Sequence, residues 1–365
     1  MSRLAELIRR TIRERGPLDV GAYMQLAMGH PTLGYYATRD PFGREGDFVT
    51  APEISQIFGE LLGAALAQRW LDMGRPSPVC LVEIGPGRGT LMADAWRATG
   101  TVPGLHAAAK VHLVETSRHL RQLQAAKLQG VPVTWHDSVT DLPDDAPLLL
   151  VANELLDALP VRQFERALSG WQERMVTLAP GDRLAFAGAG IRSPFHAALM
   201  HRHAGAPLGT VIELSPAREA VAAEIARRLV AQGGLALLVD YGSRRLEGPT
   251  LQAVRGHAAA DPLEAPGEAD VSAHVDFGVL AEVAMASGAM AWGPLAQGEL
   301  LLRLGAEARI ARLAAGQPYE RARTLREAAE RLIDPAQMGA LFQVLALTGD
   351  PAPPPGFATQ EHYRP

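Results

Sequence analysis

One cysteine, Cys80, stands alone in 365 residues, so no intrachain disulfide framework and no cysteine-based zinc site can form, which fits a reducing cytoplasm. Long apolar runs are also missing. The longest, such as Leu148 to Ala152 and Leu235 to Val239, fall far short of the roughly 18 residues a membrane span needs, and the chain reads as soluble. No block of Lys or Arg occurs, and 35 basic against 40 acidic residues leave a formal charge of −5. That balance excludes non-specific nucleic-acid binding as the main task. There is no internal repeat, no low-complexity tract and no G-x-x-x-x-G-K-[ST] phosphate loop. What is there is globular: 47% of residues are hydrophobic, as in a chain that buries a full core, and the length suggests about two domains' worth of sequence.

At the start, Leu4, Leu7, Ile8 and Ile12 recur at helical spacing with arginines on the other face, until Gly16-Pro17 stops the run. An Arg-rich amphipathic start can be a transit peptide; Glu6 and Glu14 argue instead for a packed first helix, and a cytoplasmic location is expected. Residues 29 to 49 are too rich in Gly, Pro and aromatics for a regular helix. Thr50 with Glu53 three residues on predicts a capping box. Pro52 sits in the first turn, and the helix should run through Ile57, Leu61, Leu62, Ala65, Leu66 and Trp70 to near Gly74.

From Val79 short runs apolar on both faces alternate with amphipathic helices. Val79 to Ile84, Val111 to Glu115, Val131 to His136, Leu148 to Ala152 and Leu235 to Asp240 read as buried parallel strands. Helices are expected at Thr90 to Ala98, Ser117 to Gln129 and Ser215 to Gln232, so the chain is α/β, an open doubly wound sheet. Residues 161 to 214 read as a strand-rich insertion, 296 to 336 as a charged helical one, and Gln343 to Thr348 as a last strand. The expected organisation is an N-terminal helical cap over 1–78, a catalytic domain over 79–350 and a Pro-rich tail over 351–365.

The sharpest local feature is Val82-Glu83-Ile84-Gly85-Pro86-Gly87-Arg88-Gly89-Thr90, a strand, a glycine trio and a helix start. Glycines there let the backbone approach a ligand and leave helix N–H groups free to bind it; a tight turn between packed elements is the structural alternative. Glu115 closes the second strand 30 residues after Gly85, where an acid can accept hydrogen bonds from both ribose hydroxyls of a nucleoside. Charge then selects the nucleoside. Glu83, Asp137 and Glu154 at the strand ends would repel the pyrophosphate of a dinucleotide, whereas S-adenosylmethionine brings a sulfonium cation and an ammonium group. Asp137-Ser138 follow the third strand, where an adenine amino group is expected. Asn153-Glu154-Leu155-Leu156-Asp157-Ala158-Leu159-Pro160 follow the fourth, facing the transferable methyl. Helix caps and turn residues are the alternative roles for both segments.

At these motifs the chain resembles the MidA-like family of S-adenosylmethionine-dependent methyltransferases, which includes a mitochondrial complex I assembly factor that dimethylates a protein arginine. The resemblance runs through GHPTLGYY at Gly29 to Tyr36, GDFVTAPEISQIFGEL at Gly46 to Leu61 and VEIGPGRGTLMAD at Val82 to Asp94. It continues through HLVETS at His112 to Ser117, NELLDALPVRQF at Asn153 to Phe164, IELSP at Ile212 to Pro216, LLVDYG at Leu237 to Gly242 and ADVSAHVDF at Ala269 to Phe277. Leu155 and Leu156 replace two aromatics usual in the family, while Asn153, Glu154 and Asp157 are kept. The resemblance implies a seven-stranded sheet with strand six near Ala289 to Gly293 and an antiparallel strand seven, and a lid or wall over the cofactor from Asp47, Phe48, Thr50 and Glu53. It implies a protein substrate offering an arginine, with a respiratory complex I subunit as candidate and a homodimer as a further expected assembly.

An arginine guanidinium keeps no free lone pair at neutral pH, so carboxylates must hold it, localise its charge and take a proton. Glu154 and Asp157 are the candidates, with Asn153 beside them. Tyr35, Tyr36, Asp240, Tyr241, His274 and Asp276 are secondary candidates to line the pocket; His196, His201 and His203 are a weaker metal set. A non-catalytic cofactor-binding assembly factor and a small-molecule methyltransferase are the alternatives.

Overall fold

The computed structural model describes residues 2–38, 50–190, 203–246 and 248–364. Its centre is a mixed sheet whose strands, in chain order, are β1 (Val79–Ile84), β2 (Ala109–Val114), β3 (Val133–His136), β4 (Leu148–Asn153), β5 (Gly234–Ser243), β6 (Met290–Ala296) and β7 (Phe342–Thr348). Across the sheet they run β6-β7-β5-β4-β1-β2-β3, with the two-residue strand Val275–Asp276 alongside β5 as an eighth member. The pairs β2/β3, β1/β2, β1/β4 and β4/β5 are parallel, and β7 is antiparallel to both β5 and β6.

Alternation along each strand feeds two separate cores. Val79, Leu81, Leu149 and Val151 face the helices Gln56–Asp72 and Thr90–Thr99, while Cys80, Val82, Leu148 and Leu150 face Pro216–Gln232 and Phe277–Ala286. Both faces are buried, which is why these runs are apolar without interruption. A third cluster joins the first two helices, Arg3–Arg15 and Val20–Gly29, to the strand-rich insertion through Ile8, Tyr23, Val161 and Val176. That insertion is an antiparallel sheet of Arg162–Ala167, Gly170–Ala179, Arg183–Gly190 and Val211–Leu214, edged by Leu18–Asp19. The charged segment contributes helices Gln297–Arg303, Ala306–Ala314 and Tyr319–Ile333. Arg309 on it reaches buried Glu60 at 2.7 Å, and Arg97 meets the same carboxylate at 2.5 Å.

One local expectation needs correction. The capped helix from Thr50 is two helices, Ala51–Ile54 and Gln56–Asp72, broken at Ser55, whose backbone is extended. The capping box does not form, because the Thr50 side chain makes no cap bond and the Glu53 carboxylate is taken by the Thr90 hydroxyl. A tertiary partner outcompetes the local one. No helix among the described residues is long and apolar enough to cross a membrane.

Candidate active site

Two turns at the carboxyl edge of the sheet build the site. The first follows β1. Gly85, Gly87 and Gly89 have φ of 66°, 52° and 78°, the left-handed region that a side chain strains to enter, and Gly89 caps the helix Thr90–Thr99. A Cβ on Gly85 would sit 2.9 Å from Leu155 Cδ1, so this glycine also permits the second turn to pack close.

Glu83, within β1, is 3% exposed, and its Oε2 has no hydrogen-bond partner. Burial pushes its carboxyl up to about 8, against the lowering effect of the Met92 N–H. Glu115 lies one residue past β2, buried; one oxygen accepts from Ser117 N–H at 2.7 Å and the other from Gln124 Nε2 at 3.3 Å. Gln124 escaped the sequence reading. Fully buried, it also donates to the Gly87 carbonyl at 2.8 Å and accepts from Trp135 Nε1 at 2.8 Å, tying Glu115 to the glycine turn. Its only signal was an amide one turn beyond Leu120 on the inner face of the helix Arg118–Lys127.

The second turn follows β4 at Asn153 to Asp157. Glu154 holds a φ of 49° without being glycine, a conformation that persists only where the surroundings enforce it. The Asp240 carboxylate, with no exposed surface, accepts from the N–H groups of Leu156 and Asp157 at 2.9 and 3.1 Å and from Tyr241 N–H at 2.9 Å. Arg218, 4% exposed, answers from the other side, donating to the carbonyls of Leu156, Asp157, Ala273 and His274 at 2.6 to 3.1 Å. The peptide units of Leu156 and Asp157 are therefore held by a buried carboxyl group on their N–H groups and a buried guanidinium on their carbonyls. Arg218 was not among the expected site residues; nothing local to a helix N-terminus distinguishes it from a surface arginine.

Glu154 Oε1 accepts from Ala51 N–H and Asn153 Nδ2, each at 3.1 Å. Burial pushes this carboxyl up to about 7 despite those bonds, with the charge of Asp157 adding to the rise. Asn153 Oδ1 is buried and unpartnered. Between the two turns lies a cleft open to solvent. Glu83, the Gly85 to Arg88 turn, Asn153 and Glu154 line it, and Thr50, Pro52 and Glu53 form a further wall. Thr50 and Glu53 thus stand where a wall was expected, Glu53 latched to Thr90, whose hydroxyl also accepts from Lys127 Nζ at 2.7 Å.

Other expected residues fall elsewhere. Asp137 is exposed and ion-paired with Arg121 at 2.6 Å, Ser138 caps a short helical turn at Thr140, and neither lines the cavity. Asp157 is not in its lining either; its Oδ2 accepts from the Tyr241 hydroxyl at 2.7 Å. Tyr35 is buried edge-on against Tyr36, with centroids 5.5 Å apart, and His274 stands edge-on to Tyr241 at 5.2 Å. Asp276 caps the helix Phe277–Ala286 through Val279 N–H. His203 packs edge-on to Trp171. Asp47, Phe48, His196 and His201 lie outside the described residues, among which no group of three or more potential ligands could hold a metal.

Chemically, the cavity presents unpartnered acceptor oxygens, Glu83 Oε2 and Asn153 Oδ1, beside a glycine backbone that admits close approach. Buried acceptors without donors cost free energy until a ligand supplies the donor or the charge. A nucleoside carrying an ammonium and a sulfonium group would supply the donors and the positive charge that these acceptors and the carboxyls of Glu83 and Glu154 lack.

Comparison with known proteins agrees. Residues 61–295 match Methyltransf_28, the profile of an S-adenosyl-L-methionine-dependent methyltransferase family. The chain is 37% identical over 370 residues to the mitochondrial protein arginine methyltransferase NDUFAF7 homolog of Drosophila melanogaster, covering 94% of this chain and 84% of that one. It is 34% identical to the mitochondrial protein arginine methyltransferase NDUFAF7 of Homo sapiens, over 92% of this chain and 81% of that one. The crystal structure of a COG1565 superfamily member from Burkholderia thailandensis bound to S-adenosyl-homocysteine superimposes with a TM-score of 0.86 at 30% identity, covering 99% of this chain and 95% of that one.

Proposed function

This chain belongs to the Methyltransf_28 family of S-adenosyl-L-methionine-dependent methyltransferases, and from that premise we propose that it methylates an arginine side chain of a partner protein. A respiratory complex I subunit is the partner that the sequence resemblance suggests. The observation that carries the acceptor assignment is the set of buried carboxylates at the second turn. Glu154, Asp157 and Asp240 have raised pKa values from burial, while the buried cation beside them spends its donors on backbone carbonyls. Of these Glu154 lines the cavity, and a guanidinium reaching it would bring a positive charge and a fork of donors not already spent on the backbone.

S-adenosylmethionine supplies an electrophilic methyl group on a sulfonium when bound. The protein does the rest by placement. Glu83 and Asn153 would offer acceptors to the ligand's cationic groups, and the glycine turn would admit it closely. Glu115, whose oxygens already accept from Ser117 and Gln124 and which is not in the cavity lining, would reach a ribose only beyond that lining. The second turn would orient the acceptor nitrogen toward the methyl group, and such orientation can supply a large share of the rate. The wall from Thr50 to Glu53 limits water.

We also read the sheet as the seven-stranded doubly wound form, the order of β1 to β7 and the antiparallel β7 supporting this and Val275–Asp276 being an appendage. The division into a cap over 1–78, a catalytic domain over 79–350 and a tail is retained as a functional description. Cytoplasmic location is our reading from Glu6 and Glu14 in the first helix and from the lone Cys80, whereas the matched relatives are named as mitochondrial. Fractionation tests it, and light scattering tests a homodimer. The decisive assay transfers labelled methyl from S-adenosylmethionine into a cell lysate, with products resolved by gel and amino-acid analysis. Methylarginine in a protein band is the expected result. Label in a small molecule, or cofactor binding with no transfer, overturns the proposal.

A further inference from the structure

Deeper in the second turn, three side chains form a directional chain that the cavity lining does not include. The Tyr241 hydroxyl lies 2.7 Å from Asp157 Oδ2 and 2.6 Å from Ser272 Oγ. A phenol has one hydrogen. When Asp157 is ionised its carboxylate can only accept, so Tyr241 then donates to Asp157 and its oxygen accepts from Ser272. The order Ser272 to Tyr241 to Asp157 is thereby set, and it leaves Asp157 Oδ1 as the open end. That oxygen is buried without a partner in a residue 7% exposed. Asp157 is also fixed at its backbone, its N–H on Asp240 and its carbonyl receiving Arg218 and Ala273 N–H. Glu154 differs: its Oε1 is committed to Ala51 and Asn153, on the wall of the cofactor cavity.

We propose that the two carboxylates divide the labour: Asp157 Oδ1 holds the acceptor's guanidinium cation and takes its proton, with Tyr241 and Ser272 as positioning residues, while Glu154 holds the Thr50–Ile54 wall. The inference rests on the protein-arginine reading above and assigns its acceptor end. In the step, the guanidinium nitrogen forms its bond to the methyl carbon as the carbon–sulfur bond breaks. The bonding pair stays on sulfur, leaving a neutral thioether, and one N–H proton passes to Asp157 Oδ1 and then to solvent. No further reactant is required.

Six charged or titratable groups act on Asp157: Tyr36, Glu154, Arg218, Asp240, Tyr241 and His274. Burial raises its carboxyl, and the Tyr241 hydrogen bond, the Arg218 charge and the backbone N–H groups of Ala158 and Asp157 oppose the rise. Removing the Tyr241 hydroxyl therefore raises it further, and the acid limb of activity moves to higher pH. A residue that merely filled space would lower the rate without moving that limb.

The test measures the initial rate of methylarginine formation in the labelled lysate band against pH, together with S-adenosylhomocysteine affinity by calorimetry. Asp157→Asn is expected to cut the rate at least about 100-fold while affinity stays within about twofold. Tyr241→Phe is expected to shift the acid limb upward by roughly one pH unit, and Ser272→Ala by less in the same direction. Near-wild-type transfer in Asp157→Asn, an unmoved limb in Tyr241→Phe, or lost S-adenosylhomocysteine affinity in Asp157→Asn overturns the inference and leaves the arginine reading standing. Absence of methylarginine with the wild-type protein overturns both.

Discussion

The turn after β1 and the turn after β4 meet at one cavity but reach their shapes by opposite routes. The first uses glycine at each left-handed position, Gly85, Gly87 and Gly89, so its conformation is written into its own residues. The second places Glu154 at a φ of 49° and relies on distant groups, Asp240 on β5 and Arg218 on the helix Pro216–Gln232, to hold it. A turn that must carry a carboxylate at a strained position cannot use glycine there, so the support has to come from elsewhere in the fold. The first turn is thus locally encoded and suited to receiving a ligand's bulk. The second is globally supported and suited to presenting charge.

The difference is sharpest if the support is removed. Arg218→Met strips the donors from four backbone carbonyls and removes the positive charge that acts on Asp240, and breaking such a buried network costs about 3–5 kcal/mol. Urea unfolding should show a loss of that size; a variant within the error of wild type would mean that the second turn holds itself. At the first turn, Gly85→Val puts a β-branched side chain at a φ of 66° and against Leu155, costing about 1–3 kcal/mol in strain. S-adenosylhomocysteine binding should disappear in calorimetry, whereas unchanged affinity would remove this turn from the ligand site.

Glu154→Ala tests the division of roles within the second turn. Ala51 N–H loses its acceptor, a loss of about 1 kcal/mol; cofactor binding should persist and transfer should fall because the wall is released. Full transfer in this variant would take Glu154 out of the mechanism. The smallest effect is a proton count. Burial raises Glu83 to about 8 and Glu154 to about 7, so both are partly protonated at pH 7 in the free protein. A cationic ligand favours the ionised forms, so binding should release protons and affinity should rise between pH 6 and 8. Calorimetry in buffers of different ionisation enthalpy reads the release, and Glu83→Gln should reduce it. Net proton uptake would contradict the placement of both acids.

Much of this contrast was visible in the residues. The runs at Val79 to Ile84, Leu148 to Ala152 and Leu235 to Asp240 showed their burial through apolar residues on both faces, and the glycine trio showed its turn. Glu83 and Glu154 were recognisable as acids at strand ends. Asp137 and Ser138 were equally plausible there, yet Asp137 pairs outward with Arg121 and Ser138 caps a turn, because β3 is a sheet edge and leaves that corner open to solvent. The capping box at Thr50 failed for the same kind of reason: a carboxylate at Glu53 serves either its own helix or Thr90, and packing made Thr90 the partner.

By itself the sequence determined the alternation of strands and helices, the place of the first turn and the acidic character of the sheet's carboxyl edge. These depend on hydrophobic period, backbone permissiveness and residue charge, all properties of short segments. Only the tertiary structure decided which acids work together. Asp240 and Arg218 lie more than sixty residues beyond the turn they hold. Ser272, Tyr241 and Asp157 come into line only when β5 and the strand Asp270–Ser272 are assembled beside it. Hydrogen bonds and desolvation act over a few ångströms of space, and no spacing along the chain reports them.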